Sequence, residues 1–148
     1  MKRVLFLFLT ITLFSSCGKD ELSLEEQTAV DKQLIEDYLK TNSLTAQVTG
    51  DGLYYIVETE GSAEKPKVTS QVTVTYKGYF LDGSVFDQSE KAKFALYSVI
   101  QGWQIGIPKF GRGGKGKLLI PSRFGYGTSE VGGRTSAVLL FDIEVFDF

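Results

Sequence analysis

Hydrophobic and polar positions change their period twice along this chain. Residues 4–14 are an uncharged, mostly apolar run behind Lys2 and Arg3. The run is too short to span a bilayer as a mature helix and has the form of a secretory signal. From Ser23 a helical period begins, with Val30, Leu34, Ile35, Tyr38 and Leu39 on one stripe. Ser23 and Glu26 form a capping box, and acidic residues crowd the first turn. The helix predicted over 24–40 would extend roughly 25 Å and end at Asn42 and Ser43. It can pack beside the main domain, hold that domain off a membrane, or pair with a second copy. Alone, a helix of this length is marginal.

Beyond Gly50-Asp51-Gly52 the period becomes strand-like. Residues 53–60 are dense in β-formers, 61–67 form a loop with Pro66, and 72–76 alternate so that Val72, Val74 and Tyr76 share a face. Asp82-Gly83 is the strongest turn signal and predicts that 77–81 fold back against 84–87. Strands are also predicted over 115–121 and 137–148, the last with Ala137, Leu139, Phe141, Ile143 and Val145 on one face. Between these strands lies 99–110, the centre of the pattern, with the only tryptophan. Ile100, Trp103 and Ile107 fall at i, i+3 and i+7, which predicts one short buried helix limited by Pro108. Gly102 and Gly106 lower its intrinsic helicity, so surrounding packing must hold it. Trp103 is then either ordinary core or the floor of a pocket. Several strands and one short helix imply an antiparallel α+β domain. The glycine-rich stretch 111–116 lacks the Gly-Lys-Ser/Thr ending of a phosphate loop and reads as a connection.

Composition narrows the chemistry. A chain of 148 residues accommodates one domain with an appendage, and 43% apolar content suffices for a core. With no histidine, histidine metal sites and histidine general bases are excluded. Removal of residues 1–16 leaves 14 basic against 18 acidic residues, a net charge of −4 with no basic stripe, so nucleic acid is not an expected partner. The one cysteine, Cys17, cannot form an internal disulfide. Leu13-Phe14-Ser15-Ser16-Cys17 resembles a bacterial lipobox, departing from it in Phe14. A chance cysteine at the end of a signal peptide is the alternative. Lipid on Cys17 would anchor the chain to a membrane, each buried CH₂ contributing about 0.8 kcal/mol. Gly18-Lys19-Asp20-Glu21 resembles the surface-export signal of Bacteroidetes lipoproteins, against an ordinary solvated tether. The expected organisation is a signal peptide over 1–16, a lipidated tether with an amphipathic helix over 17–43, and the folded domain over 44–148. The expected location is the cell envelope, lipid-anchored at the outer membrane.

Four segments then stand in a fixed order: Val72-Thr-Val-Thr-Tyr-Lys-Gly with Asp82-Gly-Ser-Val-Phe-Asp-Gln-Ser; Val99-Ile-Gln-Gly-Trp; Lys117-Leu-Leu-Ile-Pro-Ser-Arg-Phe-Gly-Tyr-Gly; and Leu139-Leu-Phe-Asp-Ile-Glu-Val. From about residue 52 to the end the chain resembles the FKBP-type peptidyl-prolyl cis-trans isomerases. The resemblance implies a curved antiparallel sheet wrapped around a short helix, with a shallow apolar pocket between them. It implies Trp103 as the pocket floor and Tyr76, Phe86 and Phe141 as walls. Val99 and Ile100 would border the pocket, the Ile100 N–H and Tyr126 hydroxyl would donate to peptide carbonyls, and Asp87 would be the polar group at the rim. On this reading Asp87, Tyr126 and Trp103 carry catalysis, while Tyr76, Phe86, Val99, Ile100 and Phe141 bind substrate. The implied partners are proline-containing polypeptides, with no cofactor and no metal.

These residue types suit the reaction. Rotation about an X–Pro bond meets a barrier of about 18–20 kcal/mol and breaks no covalent bond, so neither nucleophile nor metal is required. In the twisted state the amide loses charge separation, which a dry aromatic pocket favours over the planar ground state. Taken singly, Tyr76, Phe86 and Phe141 are as well explained by core packing, and Asp87 by a turn or cap. Two departures stand out. Gly132-Gly133-Arg134-Thr135-Ser136 replaces the apolar, proline-bearing stretch usual in the family, which predicts a missing wall and a more mobile loop. A family pocket aromatic aligns with Ala92, and Phe94 two residues later reads as core, or as pocket if the register shifts. Both departures predict weak macrolide binding. The alternative is a lipid-anchored, non-catalytic peptide-binding module with the same fold.

Overall fold

The computed structural model describes residues 22–148; the leader, Cys17 and the tetrapeptide behind it lie outside the described residues. Six strands form one antiparallel sheet: β1 (Gln47–Val48), β2 (Tyr54–Thr59), β3 (Gln71–Tyr79), β4 (Val85–Ala95), β5 (Lys115–Ile120) and β6 (Leu139–Asp147). Their order across the sheet is β1-β2-β5-β6-β3-β4. The last strand in sequence therefore sits in the middle, which accounts for the near-continuous apolar run Leu139-Leu140-Phe141. Among the described residues two α-helices, α1 (Leu24–Thr41) and α2 (Gln101–Gly106), and three short 3₁₀ turns complete the fold.

Alternation along the strands assigns residues to two faces. Val72, Val74, Tyr76, Leu118, Ile120, Leu139, Phe141, Ile143 and Val145 turn to one face and bury there with Trp103, Ile107 and Phe110. Each such side chain removed from water stabilises the fold by roughly 1.5–3 kcal/mol. Tyr54, Tyr79, Leu119 and Leu140 turn to the other face and meet Ile35 of α1.

The short helix lies where the pattern predicts, and its glycines have a larger part than the sequence suggested. A Cβ at Gly102 would stand 2.5 Å from Ile120 Cγ2, and one at Gly106 would stand 2.6 Å from Leu118 Cδ1. The two glycines are the surface on which α2 meets β5, and no larger residue permits that approach. The α-helix ends at Gly106, two residues before Pro108, and a 3₁₀ turn, Ile107–Lys109, carries the chain onward and ends with Phe110 N–H donating to Ile107 O at 3.0 Å.

Helix α1 has the predicted caps: Ser23 Oγ accepts from Glu26 N–H, and the Glu26 carboxyl accepts in return from Ser23 N–H at 2.9 Å. Its buried face keeps Ile35, Tyr38 and Leu39 of the predicted stripe and departs from it in the first half. Ile35 is fully buried, but Val30 and Leu34 are 41% and 42% exposed, and the residue that joins Ile35 inside is Asp31. The helix is turned by one residue, which brings a polar acceptor onto the turn after β5.

The hairpin from β3 to β4 closes at Asp82-Gly83. Asp82 Oδ1 accepts from Ser84 N–H and Oγ–H, and Gly83 takes a φ of +84°. β4 runs well past the predicted limit at 87. A bulge between the pairs Val74↔Ala92 and Tyr76↔Ser89, with Lys91 at φ +50°, restores Ala92 and Phe94 to the inner face.

Candidate active site

A cavity of about 340 Å³ opens between the inner face of the sheet and the start of α2. Trp103, 3% exposed, is its floor. Its ring meets Tyr76, Phe94 and Phe141 at centroid distances of 5.0, 5.5 and 5.3 Å and interplanar angles of 81°, 89° and 81°. Edge-to-face contacts of this kind hold a ring in one orientation and add to the energy of burial. Phe86 stands edge-on to Phe141 at 5.5 Å. Beneath both rings lies Gly78, where a Cβ would come within 2.7 Å of Phe86 and 2.8 Å of Phe141. Gly78 therefore shapes the pocket without lining it, and only a glycine flanked by bulky strand residues hinted at this.

The rim is polar. Asp87 pairs with Gly78 in the ladder, is exposed, and accepts from the Tyr76 hydroxyl at 2.7 Å. Burial, followed by the bond to Asp87, pushes the Tyr76 hydroxyl up to about 12. Tyr76 is therefore a donor throughout the physiological range and fixes one carboxyl oxygen of Asp87. Across the opening stands Tyr126, 44% exposed, between Gly125 and Gly127. Val99 and Ile100 lead into α2; the Ile100 carbonyl accepts from Trp103 and Gln104 N–H, and the Val99 carbonyl accepts from Gln104 Nε2 at 2.8 Å. The Ile100 N–H has no acceptor among the described residues and stands free at the pocket.

The structure thus brings Tyr76, Phe86, Asp87, Val99, Ile100, Trp103, Tyr126 and Phe141 around one cavity. It adds Ser98 and Phe94. Of the two readings of Phe94, the register shift decides for the pocket: the bulge at 89–92 turns its ring onto Tyr76 and Trp103 and into the lining, while it still packs on the core. The register shift behind this leaves no mark in the hydrophobic pattern.

The loop at 128–136 contributes no lining residue, in line with a missing wall. It is nonetheless tied down. Arg134 stacks its guanidinium 4.2 Å from the Phe80 ring and pairs with Asp82 at 2.8 Å, while Ser136 N–H donates to Gly127 O. The bond from Arg134 holds the Asp82 carboxyl well below the usual carboxylate range. A larger hollow of about 610 Å³ crosses the outer face of the sheet, but Lys115–Glu144 and Lys117–Asp142 ion pairs occupy it and no aromatic cluster forms there. The aromatic cavity is the better candidate because its apolar walls meet a few convergent polar groups. No group of three or more acidic or cysteine side chains placed to hold a metal occurs among the described residues.

Residues 62–146 match the FKBP-type peptidyl-prolyl cis-trans isomerase family. The FKBP-type isomerase FkpA of Escherichia coli K12 is 36% identical over 138 residues, covering 90% of this chain and 50% of FkpA. FkpA of Aeromonas hydrophila is 41% identical over 117 residues, covering 74% of this chain and 44% of its own. The crystal structure of FkpA from Escherichia coli superposes with a TM-score of 0.71 at 35% identity, over 83% of this chain and 61% of that one. A peptidyl-prolyl cis-trans isomerase from Pseudomonas syringae pv. tomato superposes with a TM-score of 0.72 at 28% identity, over 86% and 96%. The chain spans about half the length of the curated relatives it matches. With the sheet, the helix it wraps and the ordered motifs in agreement, the chain belongs to the FKBP-type peptidyl-prolyl cis-trans isomerase family.

Proposed function

We propose that this chain accelerates cis–trans isomerisation of X–Pro bonds in polypeptides of the cell envelope or in exported proteins. The observation that carries the reading is the aromatic cavity closed by Trp103 and edged by Asp87 and Tyr126. A proline ring fits such a space without any covalent step. As the X–Pro amide twists, its carbonyl loses charge separation, and apolar walls oppose that state less than they oppose the planar one. The free Ile100 N–H and the Tyr126 hydroxyl donate to carbonyls flanking the proline and favour the turned backbone. Asp87, fixed by Tyr76, lies at the mouth of the cavity, where the carbonyl carbon and nitrogen of the twisting bond change their charge.

The decisive experiment follows the cis-to-trans rate of a short proline peptide with residues 18–148 and with Trp103→Ala, each checked for folding. Acceleration that disappears in the variant is the expected result. Asp87→Leu and Tyr126→Phe should each lower kcat/KM without unfolding the protein, and unchanged kinetics in both would remove these side chains from the mechanism. A folded wild-type protein without acceleration would instead favour a peptide-binding module, a reading consistent with the wall that residues 128–136 do not provide. The same open wall supports weak macrolide binding, which a direct titration measures; nanomolar affinity would refute it.

The domain proposal is a signal peptide over 1–16, a tether and helix over 17–43, and the isomerase domain over 44–148. Anchoring rests on lipid at Cys17, with the outer membrane as its site and Gly18-Lys19-Asp20-Glu21 as the support for surface exposure. Cys17→Ala should move the protein from the membrane fraction to the soluble one; retention on the membrane would refute anchoring through this residue.

A further inference from the structure

We propose that Asp31, in the helix ahead of the isomerase domain, is a positioning residue that holds the turn carrying Tyr126. The inference rests on the reading of Tyr126 as a substrate contact. Asp31 is fully buried. Its Oδ2 accepts from both the N–H and the Oγ–H of Ser122 at 2.7 Å, and its Oδ1 accepts from Gln27 Nε2 at 2.8 Å. Ser122, 2% exposed, in turn receives two bonds at its carbonyl, from Gly125 N–H at 3.0 Å and from Gly127 N–H at 2.9 Å. Those two donors flank Tyr126. Three links therefore connect a side chain on the outer-face helix to the backbone on either side of the phenol: carboxyl to Ser122 N–H, Ser122 peptide to its own carbonyl, and carbonyl to the two glycines.

Two physical points favour a positioning role over plain structural support. A buried carboxyl costs free energy that its bonds only offset, so its place inside is explained by the groups it holds and not by burial itself. Further, Gly125 and Gly127 leave the Tyr126 backbone wide conformational freedom, with Gly127 at φ +56°, so external bonds are needed to hold the phenol at the rim. The bonds that do so begin at Asp31.

The test compares full-length wild type with Asp31→Ala, Asp31→Asn, Tyr126→Phe and the Asp31→Ala/Tyr126→Phe double variant. Amide exchange at Gly125 and Gly127 is read by NMR against Val74 in the core. In Asp31→Ala, exchange at the two glycines should rise about tenfold or more relative to Val74, a local opening rather than a global one. The kcat/KM for a proline peptide should fall about three- to tenfold, the worth of one net hydrogen bond. The same substitution in the Tyr126→Phe background should cost nothing further, since residues acting as a unit are non-additive. Equal losses in the two backgrounds, or unchanged protection at both glycines, would overturn the proposal. Should Asp31→Ala fail to fold, Asp31→Asn decides by the same readouts: its one oxygen can still accept from Ser122, with Gln27 turned to accept from the new amide, but these bonds lose their charge, so both effects should appear in the same direction and smaller, and their complete absence would overturn the proposal. A wild-type protein without isomerase activity would count against the functional reading, while the exchange data would still judge the hold of Asp31 on the turn.

Discussion

The two helices cover opposite faces of one sheet by opposite means. α2 is only six residues long and carries two glycines, yet it lies against β5 so closely that Ile120 and Leu118 fill the space where side chains would be. α1 is three times as long, well capped and rich in helix formers, yet it places only Ile35 and Asp31 fully inside. Helix strength and helix contact are separate quantities. α1 forms because its own sequence favours it, and α2 forms because the sheet leaves room for nothing else. The site follows the second helix, since close approach is what puts Trp103 under the pocket.

The sharpest way to break this comparison is Gly102→Val. Valine would add some helix propensity relative to glycine, worth a few tenths of a kcal/mol. Against that stand two methyl groups and a Cβ directed at Ile120, which is fully buried and has nowhere to move. Overpacking of this kind costs about 3 kcal/mol, a large fraction of a domain's margin of stability, so the variant should show a clearly lowered midpoint in urea titration. Stability equal to wild type would mean that α2 does not need its close approach.

That glycine also shows where the sequence was legible. The ends of α1, the hairpin at Asp82-Gly83 and the inward faces of β3 and β6 follow from caps, turn chemistry and period, which are local properties. Eight of the residues around the cavity follow from the order of four motifs, not from period alone. What stayed hidden is what depends on distant neighbours. Gly78 and Gly102 read only as weak strand and helix formers. Phe94 reached the pocket through a bulge that alternation cannot register. Asp31 sat one position from the predicted stripe because its partner, Ser122, lies 91 residues away.

Next in size is Ile35→Ala on the outer face. The side chain is fully buried against Leu119, Leu140 and their neighbours. Truncation there should cost about 2 kcal/mol, at the low end for a buried isoleucine because a surface helix can settle into the gap. The comparison predicts that kcat/KM stays near wild type in this variant, whereas Asp31→Ala changes it. A loss of activity as large as that of Asp31→Ala would mean that docking of α1 as a whole, not the bond to Ser122, supports the rim.

Alkaline pH probes both faces at once. Burial, followed by Asp87, raises the Tyr76 hydroxyl from 10.0 to about 12 on the α2 face. Burial, with Asp142 next, raises Tyr79 further on the α1 face, and Tyr54 is raised by burial and by Glu36. A phenol whose folded-state value is raised contributes stability that is complete below the unfolded value and is lost as pH climbs through the folded one. Stability should therefore hold up to about pH 10 and decline between about pH 10 and 12. Tyr76→Phe should flatten part of that slope and Tyr79→Phe a larger part, as chemical denaturation at each pH would reveal. A decline beginning near neutrality would contradict the assignment to tyrosines.

The smallest effect is expected where α1 faces away from the sheet. Val30 and Leu34 are each about two-fifths exposed and touch neither core cluster. Their joint replacement, Val30→Ser with Leu34→Ser, should shift stability by no more than about 0.5 kcal/mol, as for substitutions outside any buried network. Because serine is a slightly weaker helix former than leucine, even that small loss should come from α1 and not from the sheet. The measurement is Tm at two protein concentrations. A concentration-independent shift within that bound means that this half of the helix is solvated. A larger loss, or a Tm that rises with concentration in wild type and not in the variant, would show that the far side of α1 is buried against another surface, and its thin contact with the sheet would then be only part of what holds it in place.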